Sequence, residues 1–376
     1  MKDLSLYIHI PFCIQKCYYC DFLSFTMDEE TVDLYFENLV KEIEGYGSMV
    51  NEDTVVRTIF IGGGTPTCVD SKYILQILKV IRTRFVVDPH VEISIESNPA
   101  TFDVTKLLDY KKAGINRLSM GLQCWQDDLL KSIGRIHTQE EFVRSFLEAK
   151  AVGFENINVD LIFGLPNQTM DNWKETLQEV CKLEPSHLSC YSLKLEKGTE
   201  LYRRAQVNQF VLDEELDRQM YHYTLDTLYD KGYLQYEISN FSKPDMECKH
   251  NLVYWELGDY IGFGLGAHSY FNGFRYNNEE KIKSYISHLQ QNKAIVKDKN
   301  LVSREHIKEE FIFLGLRKTK GIDGVTYEKL FHQNIFEDFK DEIEKLDDYI
   351  IVDGGNIRLS KKGLDFANYV FMNFLK

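Results

Sequence analysis

Three cysteines, Cys13, Cys17 and Cys20, fall within eight residues, separated by three and then two positions. Thiolates are the usual ligands of iron–sulfur clusters. Three of them on a tight loop can wrap one cubane and leave its fourth iron open to a small molecule. Two other readings compete. The same spacing marks one face of a helix, but Pro11 and the strand-like residues before it disfavour a helix there. Zinc normally takes four ligands, and no fourth Cys or His follows closely. The reading adopted is a [4Fe–4S] site on Cys13, Cys17 and Cys20. The remaining cysteines are scattered, and Cys68, Cys124, Cys181 and Cys190 read as small buried side chains.

Polar and glycine signals recur after successive apolar runs. Gly62-Gly63-Gly64-Thr65-Pro66 follows one, Glu96 and Gln123 close the next two, and Asp160 closes a fourth; Arg135 stands twelve residues past Gln123. Glycines let backbone N–H groups approach a ligand closely, and parallel barrels bind ligands at the C-terminal ends of their strands. The elements that must position these residues alternate strand and helix. Strands are expected near 4–10, 55–61, 91–95, 117–120, 156–162 and 187–193. Helices are expected near 28–46, 71–85, 103–113, 126–132, 138–152 and 170–183. Six such units argue an α/β fold with a parallel sheet or partial (β/α)6 barrel. A long helix near 213–231 follows, then an extended stretch at 233–241 and an aromatic, glycine-rich stretch at 250–276. From about Ser303 the pattern becomes helical. Asp353-Gly354-Gly355 reads as a hairpin turn, and a last helix covers 361–374; helices plus a hairpin resemble a winged helix. The expected units are 1–235 for the barrel, 236–302 for a connecting segment and 303–376 for the C-terminal domain.

Composition narrows the function. The chain has 376 residues, and Lys+Arg 44 against Asp+Glu 58 leaves it at −14. A grip on nucleic-acid phosphates needs a basic face, so no nucleic-acid partner is expected. No apolar run reaches the ~18 residues of a membrane span. No signal peptide is read, and a cytoplasmic location is expected.

Tyr7-Ile8-His9-Ile10-Pro11-Phe12-Cys13, with Cys17 and Cys20, resembles the radical S-adenosylmethionine (SAM) superfamily. Within it, the chain is similar to the group of anaerobic coproporphyrinogen III oxidases and HemW haem chaperones. The resemblance implies that Tyr7, Tyr19, Gly63, Gly64, Thr65, Glu96, Gln123, Arg135 and Asp160 surround SAM. Arg135 suits its carboxylate, while Glu96 and Asp160 suit its positive charge or ribose hydroxyls. It also implies cleavage of SAM by the reduced cluster to methionine and a 5′-deoxyadenosyl radical, chemistry that belongs to the cofactor. The decarboxylase has a fourth Cys two positions past the third, where this chain has Phe22, and a longer N-terminal arm. His250-Asn251-x-x-Tyr254-Trp255 instead resembles the motif that marks the haem chaperones. The function implied is uptake of haem and its delivery to acceptor proteins, including membrane-bound cytochromes, with a haem-dependent dimer. The alternative is oxidative decarboxylation of coproporphyrinogen III. His250 is the first haem-ligand candidate, and His268, in the Gly262–Ser269 loop, is the second.

Overall fold

The computed structural model describes residues 2–26, 28–47, 50, 53–208 and 211–375. Six parallel strands lie side by side in chain order: β1 (Lys2–Ile10), β2 (Thr54–Gly63), β3 (Val86–Ser97), β4 (Arg117–Gln123), β5 (Asn156–Phe163) and β6 (His187–Ser192). Parallel neighbours need crossovers, supplied by helices such as Glu29–Gly47, Ser71–Arg84, Gln139–Ala151 and Met170–Lys182. The strand period of two decides what faces where. On β1, Leu4, Leu6, Ile8 and Ile10 are buried in the main core with Tyr35, Phe36, Leu39 and Ile43 of the first helix. Tyr7 and His9 face the interior instead. Each fully buried Leu or Ile contributes roughly 1.5–3 kcal/mol, so this alternation fixes the register of the strand. Thr138 with Glu141, and Thr169 with Asn172, close capping boxes that start two of the helices.

The expected (β/α)6 core is present, and it sits inside a wider sheet of twelve strands. On the β1 side, Tyr260–Phe263 adds in parallel, and His268–Phe271, Phe274–Asn278 and Val296–Leu301 follow antiparallel. On the β6 side, the extended stretch near 233–241 forms a hairpin, Leu234–Glu237 with Asn240–Ser242. β3 begins at Val86, five residues earlier than its apolar run suggests, because Val86 and Val87 pair with Val55 and Val56 before a register shift. The start of the 250–276 stretch is a helix, Lys249–Trp255, that local residues do not announce. Its N-cap, Cys248, makes no side-chain cap. Glu92 of β3 does that work from 157 residues away, accepting the N–H groups of Lys249 and His250 at 3.1 and 3.0 Å.

A second core draws on residues 311–374, including Ile312, Tyr327, Phe331, Phe339, Ile357 and Phe371. It packs short helices against a three-stranded sheet whose hairpin, Ile350–Asp353 with Asn356–Leu359, turns at Gly354 and Gly355, both at positive φ. This is the expected winged shape, except that the last helix breaks into Lys361–Asp365 and Ala367–Asn373. Arg317 lies over the Trp255 ring at 4.4 Å and holds this unit to the barrel.

Glu42 ties the first helix to the added strands. Its carboxyl accepts Gly264 N–H at 2.9 Å, Asn278 Nδ2–H at 2.7 Å and Tyr285 O–H at 2.6 Å. Burial pushes its pKa up to about 7 despite these donors. A native state that keeps a proton the unfolded chain releases loses stability as pH rises between the two pKa values. Raising pH from about 4.5 to about 7 should therefore cost stability, by at most on the order of 3 kcal/mol from this group. Urea unfolding of Glu42→Gln should show a flatter dependence between pH 5.5 and 8 than the parent; equal slopes would show that Glu42 does not titrate in this window.

Candidate functional site

Pro11 lacks an N–H and ends β1. Phe12–Cys13 then pairs briefly with Phe25–Thr26, closing the cysteine loop at its base. The glycine loop after β2 is stitched to that base. Gly64 N–H donates to Ile10 O at 2.8 Å and Thr65 N–H to Phe12 O at 2.7 Å. The approach leaves no room for side chains. A Cβ on Gly63, at φ +113°, would stand 2.5 Å from the His9 ring, and one on Gly64 would stand 2.5 Å from Phe12 O. The far side of the loop is held by a small apolar cluster of Leu129, Leu130, Ile133, Leu165, Leu193 and Leu201, on which Tyr18 and Tyr19 pack. Tyr18 N–H donates to Ile133 O, and Leu201 N–H to Tyr18 O.

A cavity of about 500 Å³ opens at the C-terminal ends of the strands. Cys13, Cys17, Cys20, Tyr19, Gly63, Gly64, Thr65, Glu96, Gln123, Arg135 and Asp160 all line it. Tyr7 does not; it lines a second cavity below, where its hydroxyl meets His9 Nδ1 at 3.0 Å. Gln123 closes β4 at φ +78°, a left-handed conformation unusual for a side-chain-bearing residue. Arg135 is buried and multiply tethered. Its Nη2 donates to Asn98 Oδ1 at 2.7 Å and to Gly121 O, and its Nη1 approaches Cys17 Sγ at 3.5 Å. Asn98 Nδ2 donates to Thr65 Oγ1 at 2.8 Å, and Thr65 Oγ1 donates to Cys13 Sγ at 3.6 Å. A hydrogen-bonded chain thus links the guanidinium to two of the three thiols. Asn98 was absent from the sequence reading, although it lies two residues past Glu96. Asn158 and Tyr191 were missed as well. Asn158 Nδ2 donates to Asp160 Oδ1 at 2.8 Å, and Tyr191 lines both cavities.

Two carboxyls share this interior. Burial raises Glu96 to about 7, against the pull of the Gly63 N–H at 2.9 Å and with a further push from Asp160. Burial also raises Asp160, against donors from Asn158, Ser189 and Ser119. A ligand cation would draw both toward the ionised form.

The second, inner cavity measures about 800 Å³ and shares Lys16, Asp21, Phe22, Ser24, Gly63, Glu96, Asp160 and Tyr191 with the first, so the two are contiguous. His250, Asn251 and Tyr254 line it; Trp255 does not. His250 is fully buried, stacked on Phe60 at 5.2 Å. Its Nδ1 lies 2.7 Å from Thr58 Oγ1, which donates on to Ser5 Oγ at 2.8 Å, and its Nε2 lies 2.9 Å from the Tyr254 hydroxyl. Burial, with the Arg117 charge, lowers its pKa to about 3, so the ring is neutral. His268 also lines the inner cavity, and it is exposed. Phe22, where the decarboxylases resembled carry a cysteine, is 58% exposed at the boundary between the cavities.

The donor set fits an iron–sulfur cluster with SAM beside it. Among the described residues no three His, Cys, Asp or Glu side chains close round a single ion. The three thiols share the lining of one cavity. Burial pushes the Cys20 thiol up to about 11 and raises Cys13, so metal is needed to draw off their protons. Arg135 Nε is buried with no partner, a donor left over for a ligand anion.

Parallel strands in consecutive order, a three-cysteine loop and a glycine loop against it define a radical SAM protein. The family description "Radical SAM superfamily" matches residues 7–180, and "HemN C-terminal domain" matches residues 302–366. The heme chaperone HemW of Bacillus subtilis (strain 168) is 37% identical over 377 residues, covering 99% of this chain and 99% of that protein. The heme chaperone HemW of Lactococcus lactis subsp. lactis (strain IL1403) is 35% identical, covering 100% of this chain and 98% of that protein. The chain belongs to the HemW heme chaperone family. The structure of coproporphyrinogen III oxidase (HemN) from Escherichia coli is similar in fold, with a TM-score of 0.87 at 24% identity over 99% of this chain and 90% of that one.

Gly63→Ala should lower stability by about 1–3 kcal/mol, since it adds left-handed strain to a clash with His9. Thermal unfolding measures it. A loss no larger than that of Gly153→Ala, at φ +93° but in open space, would show that contact with His9 does not matter.

Proposed function

We propose that this chain is a haem carrier built on a radical SAM scaffold. Cys13, Cys17 and Cys20 hold a [4Fe–4S] cluster, the upper cavity takes SAM, and the inner cavity takes haem for delivery to acceptor proteins. The observation that carries this reading is the shared wall of the two cavities, Gly63, Glu96, Asp160 and Tyr191. It sets a second ligand directly against the SAM pocket. The inner volume lies within the ~300–1,000 Å³ of ligand pockets. When bound and reduced, the cluster supplies one electron to SAM. The chain's own residues do the positioning. Arg135 receives the SAM carboxylate, Glu96 fixes the glycine loop through Gly63 N–H, and the Asn98–Thr65 pair steadies Cys13.

His250 is the haem ligand in this account. Ligating imidazoles commonly donate their other N–H to a fixed partner, and Thr58 Oγ1 is placed to accept it. The Nε2 lone pair is covered by Tyr254, four residues on along the same helix, so Tyr254 must yield to iron. Recipients are haem-accepting proteins, membrane-bound cytochromes among them. A cytoplasmic location agrees with eight free cysteines. Among the described residues, no helix is long and apolar enough to cross a membrane.

The cluster assignment predicts iron loss in Cys13→Ala, Cys17→Ala and Cys20→Ala but not in Cys68→Ala or Cys181→Ala. Iron analysis decides it, and full loading of Cys17→Ala would end it. Glu96→Ala, Arg135→Ala and Asp160→Ala should each weaken SAM binding roughly ten- to a hundredfold, the worth of a ~1.5–3 kcal/mol charge-assisted contact. Calorimetry on cluster-loaded protein would sink the pocket assignment if all three bind as the parent does.

Haem titration followed by absorption tests the carrier itself. His250→Ala should change the spectrum or reduce uptake, while Tyr254→Phe, which frees Nε2, should bind haem more tightly. Loss of haem binding in His268→Ala, with His250→Ala unchanged, would move the ligand to the glycine-rich turn.

A further inference from the structure

The start of β4 puts a buried guanidinium into the lining of the inner cavity. Arg117 opens β4, and alternate residues of that strand line the interior: Arg117 and Ser119 in the inner cavity, Gly121 and Gln123 in the upper one. The Arg117 side chain is buried, at 2% exposure. Its Nε has no hydrogen-bond partner, and no hydrogen bond or ion pair joins the guanidinium to any described residue.

The acids nearby are already engaged. Glu92 accepts the N–H groups of Lys249 and His250. Asp160 accepts Asn158 Nδ2–H and Ser119 Oγ–H at 2.8 and 3.1 Å. Burying a charge without a hydrogen-bonded partner is costly, whereas a planar guanidinium matches a carboxylate bidentately. Ser119, Asn158 and Ser189 line the same cavity and add further hydrogen-bonding groups.

We infer that Arg117 anchors a carboxylate of the ligand that occupies the inner cavity. The inference deepens the haem reading and rests on it: the carboxylates are the propionates of the macrocycle. Arg117 then decides which tetrapyrroles are accepted, since one with blocked acid groups leaves the guanidinium buried and unpaired.

The test compares iron protoporphyrin IX with its dimethyl ester, titrated into cluster-loaded parent and Arg117→Met, with iron content and thermal unfolding as folding controls. The parent should bind the free acid at least tenfold more tightly than the ester, and Arg117→Met should bind both equally and weakly. Equal binding by the parent overturns the inference and leaves the haem reading standing. A preference undiminished in Arg117→Met also overturns it, because the acids are then read elsewhere. Failure of the parent to take up either porphyrin overturns the haem reading itself, and this inference with it. If Arg117→Met does not fold, Arg117→Gln replaces it: a lost preference supports the anchor, and an undiminished one refutes it.

Discussion

Two backbone hydrogen bonds, Gly64 N–H to Ile10 O and Thr65 N–H to Phe12 O, decide where the chemistry of this protein sits. They hold the glycine loop after β2 against the first residues of the cysteine loop after β1. Everything nearby is built to that approach. Gly63 and Gly64 have no room for a Cβ, Glu96 binds the loop from β3, and Thr65 reaches both Cys13 and Asn98. The upper cavity is the space left between these two loops and the ends of β4 and β5. A shift of either loop would separate the thiols from the carboxyls and the guanidinium that share that space.

Below the loops, the same barrel is polar where most barrels of this size would be packed with branched side chains. Arg117, Ser119, Asn158, Asp160 and Ser189 face inward from β4, β5 and β6. The apolar residues of these strands, such as Leu118, Val159 and Leu188, turn outward to the helices. An interior of this kind forfeits core packing, and it is sustained by a dense outer layer. The helix Lys249–Trp255 contributes His250, Asn251 and Tyr254 to the cavity, while its final Trp255 is spent on Arg317 and the C-terminal unit. One short motif therefore serves two ends: a cavity wall and a clasp between the two cores.

The six strands could be read from their local pattern because each combines β-rich composition with a following turn or helix start. The cysteine loop and the residues at strand ends were readable for the same reason, being set by spacing along the chain. What escaped was held by distant partners. The helix carrying His250 is capped by Glu92, and the added strands are fixed partly through Glu42 on the first helix. Neither partner lies within reach of a local window. Arg117 reads in the sequence as the first residue of a strand; that its buried Nε has no hydrogen-bond partner emerges only when the whole interior is assembled. His250 stands in a motif visible in the sequence, but its hydrogen bonds to Thr58 and Tyr254 depend on a strand 192 positions away and on the helix itself.

The central claim is that a radical SAM scaffold here carries a tetrapyrrole instead of decarboxylating one. Anaerobic incubation of the cluster-loaded chain with coproporphyrinogen III, SAM and a low-potential reductant, followed by chromatography of the porphyrins, tests it most directly. The account predicts that coproporphyrinogen III is recovered unchanged. Protoporphyrinogen IX in excess of one molecule per chain would contradict it.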